Sequence, residues 1–391
     1  MRKCLFSGVA ITEVESRALT GRKAAFIDHP VFSSAAWGSM HPLAFARQAN
    51  VRRLAADMGW LGTDDVIEAA LPTRETLLRF HDPDYVDALA EAVSSGLVSP
   101  AARERYAFGT MENPIFPDLF TRAAATVGGS IAAARAALGG MVAFHPAGGT
   151  HHGKRDRASG FCYFNDPAFA IATLLDAGAA PVLYLDIDAH HGDGVEQLFA
   201  GDMRVRTVSI HEEGRWPHSG LPDSVTPPNA INIAVPRGLN DSELAWIVDG
   251  PLADFAHRLA PQSIVITAGA DCLAGDPLSA MALSNRAFWN AVTTACTFAP
   301  HAVVLGGGGY NPWTVSRGWA GLWACLSGND PAAPLTVDAA ALLASFESDL
   351  VDSDEVDPQW LTSIADAPMP GEVRDAVKAR TEAAFSALAR S

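Results

Sequence analysis

The chain predicts an α/β fold: a single parallel sheet with helices on both faces. Three observations carry that expectation. Short apolar runs such as VLYL (182–185), SIVIT (263–267) and HAVVL (301–305) lack polar–apolar alternation, as befits strands buried on both sides. Stretches with helical spacing separate them, the alternation that builds strand–helix–strand crossovers. Chemically capable polar residues gather where the apolar runs stop, the edge at which open parallel sheets hold their ligands.

In chain order, residues 24–29, opening AAFID, read as a first strand, and the small-residue loop HPVFSSAAWGSMHP leads to a helix over 45–58. FHDPDYVDALAEAV (80–93) starts with a turn and continues as an amphipathic helix, with Pro83 in the first turn where its missing N–H costs nothing. Pro100, Gly109, Pro114 and Pro117 interrupt 97–120 too often for a sustained period, so a long, partly irregular excursion is expected there. Thr121–Leu138 is an Ala-rich helix stopped by Gly139 and Gly140, MVAFH (141–145) is the next strand, and Pro167–Asp176 is a helix ending at Gly178. Pro181–Gly194 (PVLYLDIDAHHGDG) is the central unit: a buried strand, a turn eased by Gly192 and Gly194, then Asp193 before the helical run Val195–Phe199, with Gly201 to end it. Strands over 205–211, 230–236, 263–271 and 301–310 alternate with helices over 241–259 and 284–298. Past Gly328 come a helix near 336–347, an acidic patch from Glu347 to Asp357 and a charged amphipathic helix, Glu372–Arg390. The acidic patch reads as a solvated face, with a cover for the sheet edge or self-association as the alternative. No linker divides 20–328, which is expected to form one unit with 329–391 as a helical extension packed on it.

With 49% hydrophobic and 18% charged residues, the 391-residue chain has the balance of a globular protein. A formal net charge of −16 argues against a nucleic-acid backbone or an anionic membrane as partner, and would attract cationic substrates such as lysine side chains or polyamines. Cys4, Cys162, Cys272, Cys296 and Cys325 are odd in number and form no CxxC pair, which fits reduced thiols in a cytosol. Glu13, Glu15 and Arg17 break the opening apolar run too early for a signal peptide, and no stretch reaches the ~18 apolar residues of a membrane span. A soluble, cytoplasmic protein is expected.

If the central strand keeps its period of two, Asp186, Asp188 and His190 point the same way from its carboxyl end. Two carboxylates and an imidazole confined there call for a cation. His151 and His152 follow the 141–145 strand, Asp271 ends 263–271, and Tyr310 follows four glycines, so all converge on one crevice. Asp188, His190 and Asp271 make a three-ligand set that leaves a position open, as catalytic zinc does; without a thiolate, Fe(II), Co(II) and Mn(II) remain open. One histidine can take a proton from an attacking water, and the other can protonate a departing amine or stabilise charge. Asp186 and Asp193 suit the task of orienting them, and Tyr310 can donate its O–H to a developing oxyanion. Water, metal, base and oxyanion donor together spell hydrolysis of an amide or ester. Blander readings stand beside this: Asp271 as a helix cap, Tyr310 as packing, and His29, His41, His81, His145, His191, His211, His218, His257 and His301 as structural or surface residues. The glycine run is not followed by Lys-Ser/Thr, so it is no P-loop.

HPAGGTHHGKRDRASGFCYFND, VLYLDIDAHHGDGVEQLF, TAGADCLAGDPLSAMALS and LGGGGYNPW together resemble the zinc-dependent histone deacetylase family, most closely its bacterial acetoin-utilisation-type members, from about Ala24 to about Cys325. The resemblance implies the arginase/deacetylase fold, with a parallel sheet of about eight strands. It implies one zinc ion on Asp188, His190 and Asp271, with His151 and His152 as the paired histidines, Asp186 and Asp193 as their carboxylate partners and Tyr310 as the carbonyl-polarising tyrosine. Gly160 and Phe161 resemble one wall of the acyl-lysine tunnel, Trp216 the opposite aromatic, Leu278 the apolar gate and Arg47 the arginine of the inner acetate cavity. A structural potassium would involve Asp186, Asp188, His190, Ser209 and Ile210. Two departures stand out: Glu112 replaces the usual rim aspartate, and Trp216, on a short rim loop, is bulkier than the usual Phe, which is expected to narrow the acyl group accepted.

The function so implied is a zinc amidohydrolase removing acetyl from N-acetylated amines, acetyl-lysine of proteins first, with an acetylpolyamine or other small amide as alternative substrate. A homo-oligomer is compatible with the sequence. A binuclear manganese ureohydrolase is a remoter alternative, disfavoured because Ala189-His190-His191-Gly192 and Ala270-Asp271-Cys272-Leu273 lack its extra bridging carboxylates. A non-catalytic binder of acetylated ligands is another, disfavoured by Tyr310 and the paired histidines.

Overall fold

Among the described residues, apolar runs bounded by chain breakers become eight strands: β1 (Ala24–Asp28), β2 (Val66–Glu68), β3 (Val142–His145), β4 (Val182–Asp186), β5 (Val205–Glu212), β6 (Ala230–Val235), β7 (Ser263–Thr267) and β8 (His301–Leu305). All pair in parallel in one sheet of order β2-β1-β3-β8-β7-β4-β5-β6. The computed structural model describes residues 21–35, 37–38 and 41–388. The opening stretch read against a signal peptide, with Cys4, and the last residues of the final charged helix lie outside the described residues, as does the first residue of the 20–328 unit.

The helices are α1 (Arg47–Asp57), α2 (Arg74–Leu77), α3 (Pro83–Ser95), α4 (Pro100–Tyr106), α5 (Leu119–Leu138), α6 (Asp166–Asp176), α7 (Asp193–Leu198), α8 (Asp241–Ile247), α9 (Ala253–Leu259), α10 (Asn285–Ala295), α11 (Pro312–Ser327), α12 (Val337–Ala344) and α13 (Asp375–Leu388). On one face Leu183, Leu185, Ile264 and Ile266 pack with Trp319 and Trp323 of α11. On the other, Val182, Tyr184 and Val265 pack with α5 and α6 through Ala133, Ala137, Ile171 and Leu174. Every β4 side chain is therefore buried, which is why its sequence shows no alternation. Burial on this scale is worth about 1.5–3 kcal/mol for each large apolar side chain.

Several expectations change in detail. The strand expected over 263–271 ends at Thr267, and Asp271 sits on a 3-10 turn, Ala270–Cys272. The glycine run after Leu305 leaves the sheet, with Gly307 and Gly309 at φ 155° and 141°. The irregular 97–120 excursion contains α4, started by Ser99, whose hydroxyl accepts from the Ala102 N–H, and by Pro100 at the first position. The helix over 241–259 is broken by a π turn, Val248–Leu252, that accommodates Pro251. Asp193 is the first residue of α7, behind a Gly192 cap. α11 went unassigned because it is buried almost all round and shows no polar stripe, although the Asn311 cap, Pro312 and the left-handed Gly328 mark its ends.

The residues past Gly328 lie against the rest of the chain. α12 packs on α1, and α13 runs along the edge strand β6, where Arg380 donates to the Ala234 carbonyl at 3.1 Å. The fully buried Arg317 of α11 donates to Asp366 at 2.5 Å and to the Ser363 carbonyl at 2.7 Å.

One buried histidine links the fold to the site. His81 Nε2 accepts from the Asn165 N–H at 3.2 Å while Nδ1 meets the Lys154 carbonyl at 3.0 Å, so a neutral ring with its proton on Nδ1 satisfies both partners. Burial outweighs that carbonyl contact and pulls its pKa down to about 4. The folded value lies below the ordinary one near 6.5, so the stabilisation is complete above that pH and lost as pH falls towards 4, an effect on the order of 3 kcal/mol. Imidazole NMR should show the neutral Nδ1–H tautomer of His81 persisting at pH 5.5; half-protonation above pH 6 would contradict it.

Candidate active site

The loop after β4, and not a continued strand, delivers the polar cluster. β4 ends at Asp186, and the chain then turns on its own side chains: Asp188 N–H donates to Asp186 Oδ1 at 3.1 Å and His190 N–H to Asp188 Oδ1 at 2.9 Å. The expected period of two therefore stops at Asp186. Two such turns bring Asp188 and His190 beside Asp271, and the ligand atoms of the three all lie within 4.8 Å of one another. His190 Nδ1 is 3.1 Å from Asp188 Oδ1 and 2.9 Å from Asp271 Oδ2. Main-chain N–H groups of Ala189 and Gly308 donate to Asp271 and Asp188 at 2.9 and 2.6 Å. A side chain at Gly308 would collide with Asp271, so only glycine lets the backbone come this close.

All three residues are buried. Burial and the Asp188 charge push Asp271 up to about 6, while His190, against the cost of burial, is raised to about 10 by Asp188 and Asp271. Against the same cost, the positive charge of His151 helps hold Asp188 below the usual carboxylate range. The cluster thus demands positive charge, and two carboxylates with one imidazole are a donor set suited to a divalent transition ion.

The two histidines beside it differ. His151 Nδ1 lies 2.7 Å from Asp186 Oδ2, an oxygen that also accepts the Tyr184 hydroxyl at 2.7 Å. His152 Nδ1 lies 2.8 Å from Asp193 Oδ1, and Lys154 pairs with the other Asp193 oxygen. Their rings sit 3.9 Å apart. Burial disfavours both charged forms; the carboxylates of Asp186 and Asp188 overcome it at His151, raised to about 9, whereas the charge of His151 adds to it at His152, lowered to about 3. His151 is thus pushed towards its protonated form and His152 towards its neutral one, with His152 Nε2 free of Asp193.

A pocket of about 760 Å³ opens over this pair, lined by His152, His190, Phe161, Trp216, Leu278 and Tyr310, with Gly160 and Glu112 at its lip. Trp216 meets the His152 ring at 4.6 Å, and Phe161 meets Tyr310 at 5.9 Å. Any side chain at Gly160 would strike Trp216. Glu112 does not simply face solvent: its Oε1 accepts the Gly160 N–H at 2.5 Å, and neighbouring Asn113 accepts that of Phe161 at 3.1 Å. Arg47 lies deeper, donating to the Gly307 carbonyl at 2.9 Å and sharing an inner cavity of about 50 Å³ with His151, His152 and Tyr310. Ser209 is the sheet partner of Asp186, and its hydroxyl bonds His211 Nδ1 at 2.9 Å; the Ile210 side chain points into the core.

The structure also brings in residues that the sequence reading passed over. Asp276, in LAGDPL, accepts the N–H groups of Leu278 and Tyr310 at 2.9 and 2.7 Å. Asn165 donates to the His151 carbonyl at 3.2 Å, and Asp166 accepts from Gly149 and Thr150. Their proximity to quoted motifs was visible; their partners, far off in sequence, were not.

Fold and site together define an α/β protein with a candidate metal centre at the carboxyl edge of a parallel sheet, flanked by carboxylate-held histidines. The chain belongs to the histone deacetylase family and is a deacetylase of that family: the histone deacetylase domain matches residues 41–326. It is 32% identical over 325 residues to the acetoin utilization protein AcuC of Bacillus subtilis, covering 79% of this chain and 84% of that one. It is 33% identical over 306 residues to histone deacetylase RPD3 of Saccharomyces cerevisiae, covering 76% and 70%. The crystal structure of a histone deacetylase homologue from Aquifex aeolicus superposes with a TM-score of 0.87 at 34% identity, over 93% of this chain and all of that one. Among the described residues no helix is long and apolar enough to cross a membrane, and Cys162, Cys272, Cys296 and Cys325 are free and buried.

Chelator-stripped protein should regain one divalent ion per chain, with unfolding stabilised by about 2.7 kcal/mol at a hundredfold excess over Kd. Asp271→Asn should abolish both the uptake and the shift, measured by metal analysis and thermal melts.

Proposed function

We propose that the protein is a zinc-dependent amidohydrolase that removes acetyl from N-acetylated amines, acetyl-lysine of proteins first. The observation that carries this reading is the convergence of three elements on one pocket: the Asp188–His190–Asp271 cluster, the Asp193-held His152 and Tyr310. Zinc held by the cluster would supply Lewis-acid polarisation of a carbonyl and lower the pKa of a water.

The chain's own groups do the rest. Phe161 and Trp216 hold the aliphatic stem of the substrate and keep bulk water from the scissile amide. His152 takes a proton from the attacking water at Nε2, Asp193 stabilising the imidazolium that results, and returns it to the departing amine. His151, whose pKa Asp186 and Asp188 raise against the cost of burial, steadies the negative charge that develops beside it. The Tyr310 hydroxyl donates to the carbonyl oxygen as that oxygen gains charge. Arg47 marks the inner cavity as the way out for acetate, an anion.

Leu278 at the gate favours acetyl-lysine, because an apolar residue offers nothing to the second ammonium of a polyamine. The net charge of −16 favours the acetylpolyamine reading. Potassium, held by oxygens of Asp186 and Ser209 and the main chain of Asp188, His190 and Ile210, belongs to the same proposal; the oxygen donors suit a hard cation. So do a cytoplasmic location and one domain in which 329–391 packs on 20–328.

A panel of acetyl-lysine peptides, acetylspermidine and acetoin-related esters on zinc-loaded protein tests the reading. The highest kcat/KM is expected on the peptides, and Tyr310→Phe should lower kcat about 10²- to 10³-fold with metal content intact. A dominant rate on acetylspermidine would transfer the assignment to small amides.

A further inference from the structure

The histone deacetylase domain ends at residue 326, yet the chain beyond it reaches the catalytic tyrosine. Tyr310 ends a run of four glycines that Arg47 ties at the Gly307 and Gly309 carbonyls and Asp188 at the Gly308 N–H, ties that stop short of the tyrosine's own main chain. Its main chain is fixed from outside. Asp276 is buried and spends one carboxylate oxygen on the Tyr310 N–H (2.7 Å) and the other on the Leu278 N–H (2.9 Å). One side chain thereby sets both the phenol's backbone and the gate leucine. The next residue after the tyrosine, Asn311, donates to the Gly275 carbonyl at 2.9 Å, a second tie between the same two loops.

The turn that carries Asp276 is itself backed by the carboxyl-terminal extension. Gly275 sits at φ +89°, and a Cβ built there would lie 2.7 Å from Cζ2 of Trp360, so the indole rests directly on the turn's backbone. Trp360 in turn stacks on Trp313, three residues past Tyr310, at 6.3 Å between ring centroids. Trp313, Trp360 and Val351 form a separate buried cluster, closed by Phe346, Val356 and Leu361. Trp313 is pinned by an indole N–H to the Leu343 carbonyl at 2.9 Å. Glu347 and Leu350 line a groove that Tyr310 also lines. The extension therefore touches both ends of the bracket, the Gly275–Asp276 turn and the start of α11.

We propose that the carboxyl-terminal extension positions Tyr310: Trp360, packed on Gly275, holds the turn from which Asp276 clamps the main chain of Tyr310 and Leu278. This rests on the assignment of Tyr310 as donor to the substrate carbonyl. Trp360 and Asp276 are positioning residues that never meet substrate, and their loss misplaces the phenol without emptying the pocket. The cost falls on kcat, because the hydrogen bond concerned matures only as the carbonyl oxygen gains charge.

Paired substrates separate this from a purely structural role. A trifluoroacetyl amide carries a more electrophilic carbonyl and a better-stabilised oxyanion, so it depends less on the phenol than an acetyl amide does. With zinc-loaded full-length protein and one lysine peptide bearing either group, Trp360→Ala should lower kcat on the acetyl peptide about tenfold with KM within about twofold, and on the trifluoroacetyl peptide about threefold or less. Asp276→Asn, which keeps one acceptor and loses the other, should show the same skew. Trp360→Phe keeps an aromatic plug but cannot reach Gly275, and should give a weaker skew in the same direction; it carries the test if Trp360→Ala does not fold. Parallel losses on both substrates, or full activity in folded Trp360 variants, would overturn the proposal. Tyr310→Phe separates the two levels. Undiminished acetyl turnover in that variant refutes the role of Tyr310 and this inference with it; an impaired Tyr310→Phe beside an unskewed Trp360→Phe refutes this inference alone.

Discussion

Two buried carboxylates, Asp188 and Asp271, held within hydrogen-bonding distance of one imidazole, are the constraint from which the rest of the molecule follows. Like charges this close in a buried position are costly unless positive charge is supplied among them. The fold supplies part of it through main-chain N–H groups from Ala189 and Gly308 and, against the cost of burial, through His151. A cation held among these side chains would complete it. The glycine run after β8 exists in this context because the backbone has to press against the carboxylates, and any Cβ at Gly308 would occupy their space.

Charge then sets the two histidines apart. Both are buried, both have a carboxylate on Nδ1, and they differ chiefly in what else each one faces. Against the cost of burial, Asp186 and Asp188 raise the pKa of His151, whereas burial and the charge of His151 lower that of His152. His152 lines the mouth pocket and the inner cavity, whereas His151 lines the inner cavity. Lys154 on Asp193 balances the carboxylate that orients the base.

The walls of the pocket come from segments spread from Pro42 to Tyr310, and several are held from behind. Adjacent residues Glu112 and Asn113 secure the successive N–H groups of Gly160 and Phe161, two positions with left-handed backbone. Arg215 joins the Trp216 loop to Leu278 by donating to Glu212 and to the Leu278 carbonyl. Catalytic precision in such a site depends on these supports as much as on the groups that meet substrate.

Much of this was legible in the chain itself. The parallel sheet showed in unalternating runs such as VLYL and SIVIT, because strands covered on both faces need no polar side. The metal cluster and the histidine pair showed because their residues stand in dense local motifs at strand ends, and chemistry of that kind leaves its mark within a few neighbours. α11 did not show, since a helix buried all round has no stripe to read, and the turn geometry after Asp186 did not, since the side chain-to-backbone bonds that shape it have no signature in spacing. The opposite pKa shifts of His151 and His152, the clasp of Glu112 on Gly160 and the rest of Trp360 on Gly275 emerged only in the folded chain. Each depends on the distance between groups dozens of residues apart, and on the loss of water around them, quantities that exist only once the sheet and its helices have closed.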